Sequence, residues 1–212
     1  MVHGESGCQL YLILPSRKDS SGVSDFLEGG DLTPFACLLL QAQSGGIVDR
    51  DFAGELLTLA HGANIPLLLE NDIPAAAELG ADGVHIPADE NLYARARDEL
   101  GDDAIIGVDC GQSRHAGLTF AELGANYIAF SGEGPVADDA IKSHEELIAW
   151  WGETVTVPCV AWEPESLERA QLLAETGADF AAISEPFWSH EEGPAAAATA
   201  LRTRLEKPRM PA

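Results

Sequence analysis

One short phrase recurs along this chain and restricts its folding more than any other feature. Glu78–Val84 reads ELGADGV, Glu122–Ile128 reads ELGANYI and Glu175–Ala181 reads ETGADFA, with a looser copy, HGANI, at His61–Ile65. The phrase has a mechanical reading. Gly takes the left-handed conformation that ends a helix, Ala packs, Asp or Asn turns the chain, and an apolar strand begins. Its recurrence indicates repeated helix-to-strand joints.

The strands are visible as short apolar runs: Leu10–Leu14, Cys37–Gln41, Pro66–Leu69, Gly83–Ile86, Ile105–Val108, Tyr127–Phe130, Pro158–Ala161 and Phe180–Ile183. Each is apolar continuously rather than alternately, as expected of a parallel strand covered on both faces. Between them lie segments of helical period. Asp51–His61 places Phe52, Leu56, Leu59 and Ala60 on one stripe, and Glu165–Thr176 does so with Leu167, Ala170, Leu172, Leu173 and Ala174. Asp49, Asp51, Asn91, Ser143 and Ser166 are read as N-caps, and Glu146 follows Ser143 in capping-box spacing. Eight such units in 212 residues leave about 26 residues each, near the lower size limit of a (β/α)8 TIM barrel. The same pattern permits a doubly wound open sheet, but no GxGxxG turn is present, and the barrel is the expected fold. No linker divides residues 1–212, so one domain is expected, with a final helix around Pro194–Ala200 and a frayed tail at 207–212.

Charge narrows the partners. With 35 acidic against 12 basic side chains the formal net charge is −23, which repels phosphate backbones and anionic lipid, so neither nucleic acid nor membrane is an expected partner. No apolar run approaches the roughly 18–20 residues needed to cross a bilayer, and nothing at the N-terminus reads as a signal peptide, so a cytoplasmic protein is expected. Cys8, Cys37, Cys110 and Cys159 show no CxxC or Cys/His ligand spacing, and most sit in or beside apolar runs as small hydrophobes.

In a barrel the reacting groups stand on the loops that follow the strands. Those positions hold Arg17 and Lys18; Gln41 and Gln43; Glu70, Asn71 and Asp72; Asp89 and Glu90; Asp109, Cys110, Arg114 and His115; Glu133, Asp138, Asp139 and Lys142; Trp162 and Glu163; and Ser184 and Glu185. The rim is strongly acidic. His85 lies within the fourth run, where a satisfied core histidine and a general base are both open readings. Cys110 follows a strand, but Asp109 beside it argues against an activated thiol. Trp150 and Trp151 read as packing anchors, while Trp162 sits at the rim.

The chain resembles the thiamine-phosphate synthases and their relatives, the TenI-like thiazole tautomerases. The resemblance runs over nearly the whole length. It rests on Leu10-Tyr11-Leu12-Ile13, on Asn71-Asp72 followed by Gly80-Ala81-Asp82-Gly83-Val84-His85, on Gly107-Val108, and on Val157-Pro158-Cys159-Val160-Ala161 with Gly177-Ala178-Asp179. It implies a (β/α)8 barrel that joins a pyrimidine diphosphate to a thiazole phosphate. Pyrophosphate leaves with the help of Mg²⁺, and the thiazole nitrogen captures the cation so formed. On this reading Asp72 and Glu90 hold Mg²⁺, and Asn71, Gln41, Gln43, Lys142, Ser184, Arg17 and Lys18 line the substrate.

The resemblance is uneven at those positions. The Arg and Lys that the family places on the diphosphate fall at Gln41 and Gln43, and two amides do not replace two positive charges. The Gly and Gln before the metal acid are Pro87 and Ala88. The GxSxH turn reads Gly107-Val108-Asp109-Cys110-Gly111, so its Ser is an acid and its His a Gly. The glycine pair that cups the thiazole phosphate is Glu163-Pro164, which removes one N–H and adds a repelling charge. A synthase of weakened or lost activity is therefore expected. The alternatives are a non-catalytic, regulatory barrel binding thiamine or a related heterocycle, and a TenI-like isomerase, which lacks the family's His at Gly111 and would need His115 to move in; His85 and His115 are the catalytic candidates. The expected partner is a small heterocycle or its phosphate, with a homodimer left open.

Overall fold

Each apolar run becomes a strand, and each strand pairs with its neighbours in chain order until the last meets the first. This computed structural model describes residues 7–20, 22–132 and 143–205. The strands are β1 (Gln9–Leu14), β2 (Phe35–Leu40), β3 (Leu67–Glu70), β4 (Gly83–Pro87), β5 (Ile105–Asp109), β6 (Tyr127–Ser131), β7 (Cys159–Trp162) and β8 (Phe180–Ile183). All pairings are parallel and the sheet closes, with Gln9 against Phe180 and Tyr11 against Ala182. The open-sheet alternative is thereby excluded, and the fold is a single (β/α)8 barrel.

The surrounding helices are α1 (Val23–Gly29), α2 (Arg50–Gly62), α3 (Ile73–Leu79), α4 (Glu90–Leu100), α5 (Arg114–Leu123), α6 (His144–Thr154), α7 (Leu167–Thr176), α8 (Glu185–Trp188) and α9 (Pro194–Leu205). Asp49, Ser143 and Ser166 cap α2, α6 and α7 through side-chain acceptors, as the sequence indicates. Asp51 and Asn91 do not. The caps fall two residues earlier, at Asp49 and Asp89, because those side chains reach the first free N–H groups, Phe52 N and Asn91 and Leu92 N. Leu59 and Leu172 also leave their expected stripes, at 40% and 44% exposure. Each stands one residue, about 100° round the helix, from the buried Ala60 and Leu173. The four-residue α8 was not legible beforehand, and α9 runs on beyond the Ala-rich stretch. The tail at 207–212 lies outside the described residues.

The repeated phrase turns out to be a clasp. Gly80 and Gly124 end α3 and α5 at φ 70° and 92°, in the left-handed region where Gly has no Cβ to clash. The following Asx then grips one residue of the preceding strand by both backbone groups. Asp82 N donates to Leu67 O at 3.0 Å while its carboxylate accepts Leu67 N at 2.8 Å. Asn126 does the same to Ile106, at 2.9 Å in both directions. Asp179 holds Cys159 at 3.0 and 2.9 Å. The Asx therefore seals β3 to β4, β5 to β6 and β7 to β8 at the lower end of the barrel, besides turning the chain.

Two cores result. Between strands and helices lies a large aliphatic layer that includes Phe130, Phe187 and the fully buried Trp151. Inside the barrel a smaller set, among them Ile13, Leu39, Leu68, Ala129 and Val160, surrounds Tyr11, Tyr127 and Trp162. Gly107 makes that interior possible: a Cβ there would stand 1.8 Å from Cζ of Tyr127. No described helix is long and apolar enough to cross a membrane.

Candidate functional site at the barrel mouth

Alternation along each strand sends Tyr11, Cys37, His85, Tyr127 and Trp162 into the barrel, and their polar atoms meet. The His85 Nδ1 lies 2.9 Å from the Tyr127 hydroxyl, which lies 2.9 Å from that of Tyr11. The Tyr11 hydroxyl in turn bonds the Cys37 thiol. The His85 ring stacks on Trp162 with centroids 4.0 Å apart and planes 9° apart. Tyr11 meets Trp162 edge-on at 5.9 Å. Burial determines the charge states. Desolvation lowers the His85 pKa to about 3 and raises Cys37 to about 12, so the imidazole is neutral and the thiol keeps its proton. The two tyrosines are pushed well above their ordinary range, again by burial first. The upper rings of this aromatic, uncharged plug, Trp162 and His85, are the floor of the mouth, while Tyr11, Tyr127 and Cys37 face a cavity at the lower end of the barrel.

Three carboxylates stand around that floor, at the ends of β3, β5 and β7. Desolvation raises the pKa of Glu70, and the charge of Asp109 adds to it, against the opposing Ala42 N–H bond at 2.9 Å. Asp109 is raised by desolvation although Gly111 N donates to it at 2.9 Å. Glu163 is raised by desolvation and then by the charges of Glu70 and Asp109. It keeps an exposed edge, and Ser184 and Trp162 bond its carboxylate from the wall. Its backbone is held at φ 43°, a left-handed conformation unusual for a residue with a Cβ. Next to Asp109, the Cys110 thiol is pushed to about 12 by burial first and that carboxylate second, so it is no thiolate nucleophile.

Of the basic side chains expected at the mouth, Arg17, Lys18 and Arg114 have partners of their own, and Arg50, at the start of α2, has two. Arg17 forms a 2.9 Å pair with Asp19, and Lys18 pairs with Glu55 on α2. Arg50 lies 3.0 Å from Glu78 and 3.7 Å from Asp72. Arg114 covers the Trp150 ring at 4.8 Å. Lys142, with Glu133, Asp138 and Asp139, lies outside the described residues. Gln41 is half-buried at the end of β2, its N–H donating to Leu14 O, while Gln43 is exposed in the following turn. Asn71 sits at φ 57° and ties the loop to β4 through its N–H on His85 O. Ser184 is at the rim beside Glu163, and His115 is exposed on the first turn of α5, its carbonyl accepting the Thr119 hydroxyl.

Asp72 is 5% exposed and structurally occupied. One of its oxygens accepts Ala75 N at 3.0 Å, capping α3, and the other accepts Val48 N at 3.0 Å. Glu90 opens α4 and is exposed. Both Asp72 oxygens already accept a backbone N–H and Arg50 stands alongside, so Asp72 would meet a Mg²⁺ only through its remaining lone pairs, with the exposed Glu90 as its partner. Tyr11 and Tyr127 were missing from the sequence-derived site, and Glu70 was read on the rim without an assigned role. Their signal was available: polar-tipped side chains at inward positions of otherwise aliphatic runs.

The fold and this mouth define a (β/α)8 barrel with its candidate site at the carboxyl ends of the strands. The chain belongs to the thiamine monophosphate synthase family, whose sequence pattern matches residues 45–187. It is 36% identical over 194 residues to a thiamine-phosphate synthase of Rhodospirillum centenum, covering 90% of this chain and 94% of that protein. A second, from Hyphomonas neptunium, is 33% identical over 208 residues, covering 93% and 94%. Among solved structures, a thiamine phosphate pyrophosphorylase from Pyrococcus furiosus superposes with a TM-score of 0.72 at 21% identity, covering 93% of this chain and 95% of that one. The last likeness concerns the fold.

Proposed function

We propose that this chain acts in thiamine metabolism as a barrel that holds a cationic, unphosphorylated heterocycle of the thiamine type, with little turnover of the coupling reaction its relatives are named for. The observation that carries the reading is the convergence of Glu70, Asp109 and Glu163 around the floor of Trp162 and His85, while Arg17, Lys18 and Arg50 are each paired with another carboxylate, Asp19, Glu55 and Glu78. A thiazolium ring is flat and permanently positive, and it is matched by an aromatic floor walled with carboxylates. A diphosphate is matched by neither. A cytoplasmic location belongs to this reading, and a homodimer is compatible with it.

The second reading is a working synthase, favoured by the identity to the named relatives. It would need Arg17, Lys18 and Lys142 to supply the charge missing at Gln41 and Gln43, and Asp72 and Glu90 to rearrange around Mg²⁺. A TenI-like isomerase would require the exposed His115 to turn inward.

Calorimetric titration with thiamine and with thiamine monophosphate separates the readings. Thiamine is expected to bind at least about tenfold tighter, a difference of roughly 1.4 kcal/mol. Coupling assays with pyrimidine diphosphate, thiazole phosphate and Mg²⁺ at millimolar substrate are expected to stay at background. Ready Mg²⁺-dependent synthesis, with tighter binding of the phosphorylated forms, would reject the proposal.

A further inference from the structure

The barrel is hollow at the end away from the mouth. A cavity of about 280 Å³ lies there, where the strands begin. Ala36, Pro66, Ile105, Pro158 and Phe180, at or beside the starts of β2, β3, β5, β7 and β8, form its rim, and each is partly exposed. Tyr11, Tyr127 and Cys37 roof it, with Val160 in the wall. No charged side chain lines this cavity, although the chain as a whole carries a formal charge of −23.

The polar atoms of the lining are already matched. The Tyr11 and Tyr127 hydroxyls bond each other, and beyond them Cys37 and His85. Asn126 gives its side-chain oxygen to Ile106 N and Arg97. Asp82, whose charge reaches Cys37 from outside the lining, is held by Leu67 N at 2.8 Å and by His61 at 3.0 Å. Among the described residues no buried side-chain N or O lacks a partner. A trapped water needs two to four polar partners, and a desolvated ion needs an opposite charge. The lining offers neither. An apolar guest, by contrast, restores the dispersion contacts that an empty hollow forfeits, at a level where a barrel of this kind is ordinarily filled by its own side chains. Three rings in the wall, Tyr11, Tyr127 and Phe180, offer edges and faces to another ring. Volume sets the size of the guest: an apolar cavity of roughly 150 Å³ takes benzene, so this one takes a substituted ring or a fused pair.

We propose that the lower cavity is a binding site for a small uncharged aromatic molecule, separated from the mouth by the plug of Tyr11, Tyr127, His85 and Trp162. The guest's ring packs beneath the two tyrosines and against Phe180, and any charge on it would be stripped of water with no partner in reach. The site discriminates by charge in the opposite sense to the mouth, where carboxylates favour a cation.

The test is an NMR titration of the full chain, with ¹³C at the Ile and Val methyls and ¹⁵N throughout. The probes are three molecules of one shape: benzyl alcohol, benzoate and benzylamine, the last cationic at neutral pH. Benzyl alcohol is expected to move the Ile105 and Val160 methyls most, with a Kd at or below about 1 mM, and the charged probes to bind at least about tenfold more weakly. Ala36→Phe, which brings a ring into the cavity from its partly exposed rim, is expected to weaken benzyl alcohol at least about tenfold. No saturable shift with benzyl alcohol overturns the proposal. So does equal binding of either charged probe, or a shift centred on the Trp162 indole with the Ile105 and Val160 methyls unmoved. Binding that appears only once residues 1–6 and 206–212 are removed also overturns it, and assigns the cavity to the chain's own ends. Should Ala36→Phe fail to fold, the methyl shifts and the probe series still decide.

Discussion

His85 and Trp162 lie face to face at 4.0 Å inside the barrel, with the Tyr127 hydroxyl holding Nδ1 of the imidazole through a 2.9 Å bond. Each ring explains another. Trp162 closes the top of the plug and sheds water from His85, and the dry setting keeps the imidazole neutral, so that it stacks without introducing an unpaired charge.

The first prediction concerns that neutrality. The folded-state pKa of His85 is about 3, below its ordinary 6.5. The unfolded chain therefore binds a proton that the native state refuses as pH falls below about 6.5. The stability tied to His85 is complete above that pH and declines by up to about 1.4 kcal/mol per unit as pH falls toward 3. In ¹⁵N spectra the His85 ring resonances should stay constant from pH 5 to 8, and His85→Gln should flatten this part of the acid slope. A His85 titration midpoint near 6.5 contradicts it.

The mouth carboxylates shift the other way. Glu70, Asp109 and Glu163 have raised folded pKa values, so the native state takes up their protons before the unfolded chain does. Their repulsion weakens as pH drops from neutral toward the ordinary carboxylate range, and on this account mild acid stabilises. Glu163→Asn removes one charge and places at φ 43° a residue that tolerates the left-handed region. It should stabilise the protein by about 0.5–1 kcal/mol in urea unfolding and weaken the preference for thiamine over its monophosphate. A loss of stability would show that the Ser184 and Trp162 bonds to Glu163 outweigh the strain.

Gly107→Ala tests the interior directly. The added Cβ has no space beside Tyr127, so the ring must move and its bond to His85 must lengthen. Overpacking of this kind costs about 1–3 kcal/mol, and the mutant should show a His85 resonance that titrates closer to neutrality. An unchanged unfolding midpoint would mean that the barrel relaxes around the methyl group.

The fold was legible in the sequence because its signals are local and repeated. Continuous apolar runs marked the strands, and ELGADGV and its copies marked the joints. What stayed hidden was long-range. That Asp179 clasps Cys159 follows from the pairing of β7 with β8, 20 positions apart, and that Tyr11 and Tyr127 meet across the barrel follows from closure of the sheet, which brings together side chains 116 positions apart. The clasp has its own expected outcome. Asp179→Ala should cost about 1–3 kcal/mol by stranding Cys159 N, and Asp179→Asn, which keeps an acceptor as Asn126 does, should cost less. The site was only half visible for the same reason. The acidic rim could be read residue by residue, but the engagement of Lys18 with Glu55, which takes up one of the cations expected there, could not.

Asp72 separates architecture from catalysis most sharply. If its role is the one seen here, accepting Val48 N and Ala75 N from a nearly closed position, Asp72→Ala leaves two backbone donors without partners and unfolds about 2–4 kcal/mol more easily, with EDTA present or absent. Asp72→Asn keeps one acceptor oxygen and should lose about half as much. A metal ligand behaves differently: both substitutions would then leave the EDTA-treated protein as stable as wild type, and the losses would emerge only on titration with Mg²⁺. The two roles therefore part on the unfolding curve measured without metal, before any turnover is assayed.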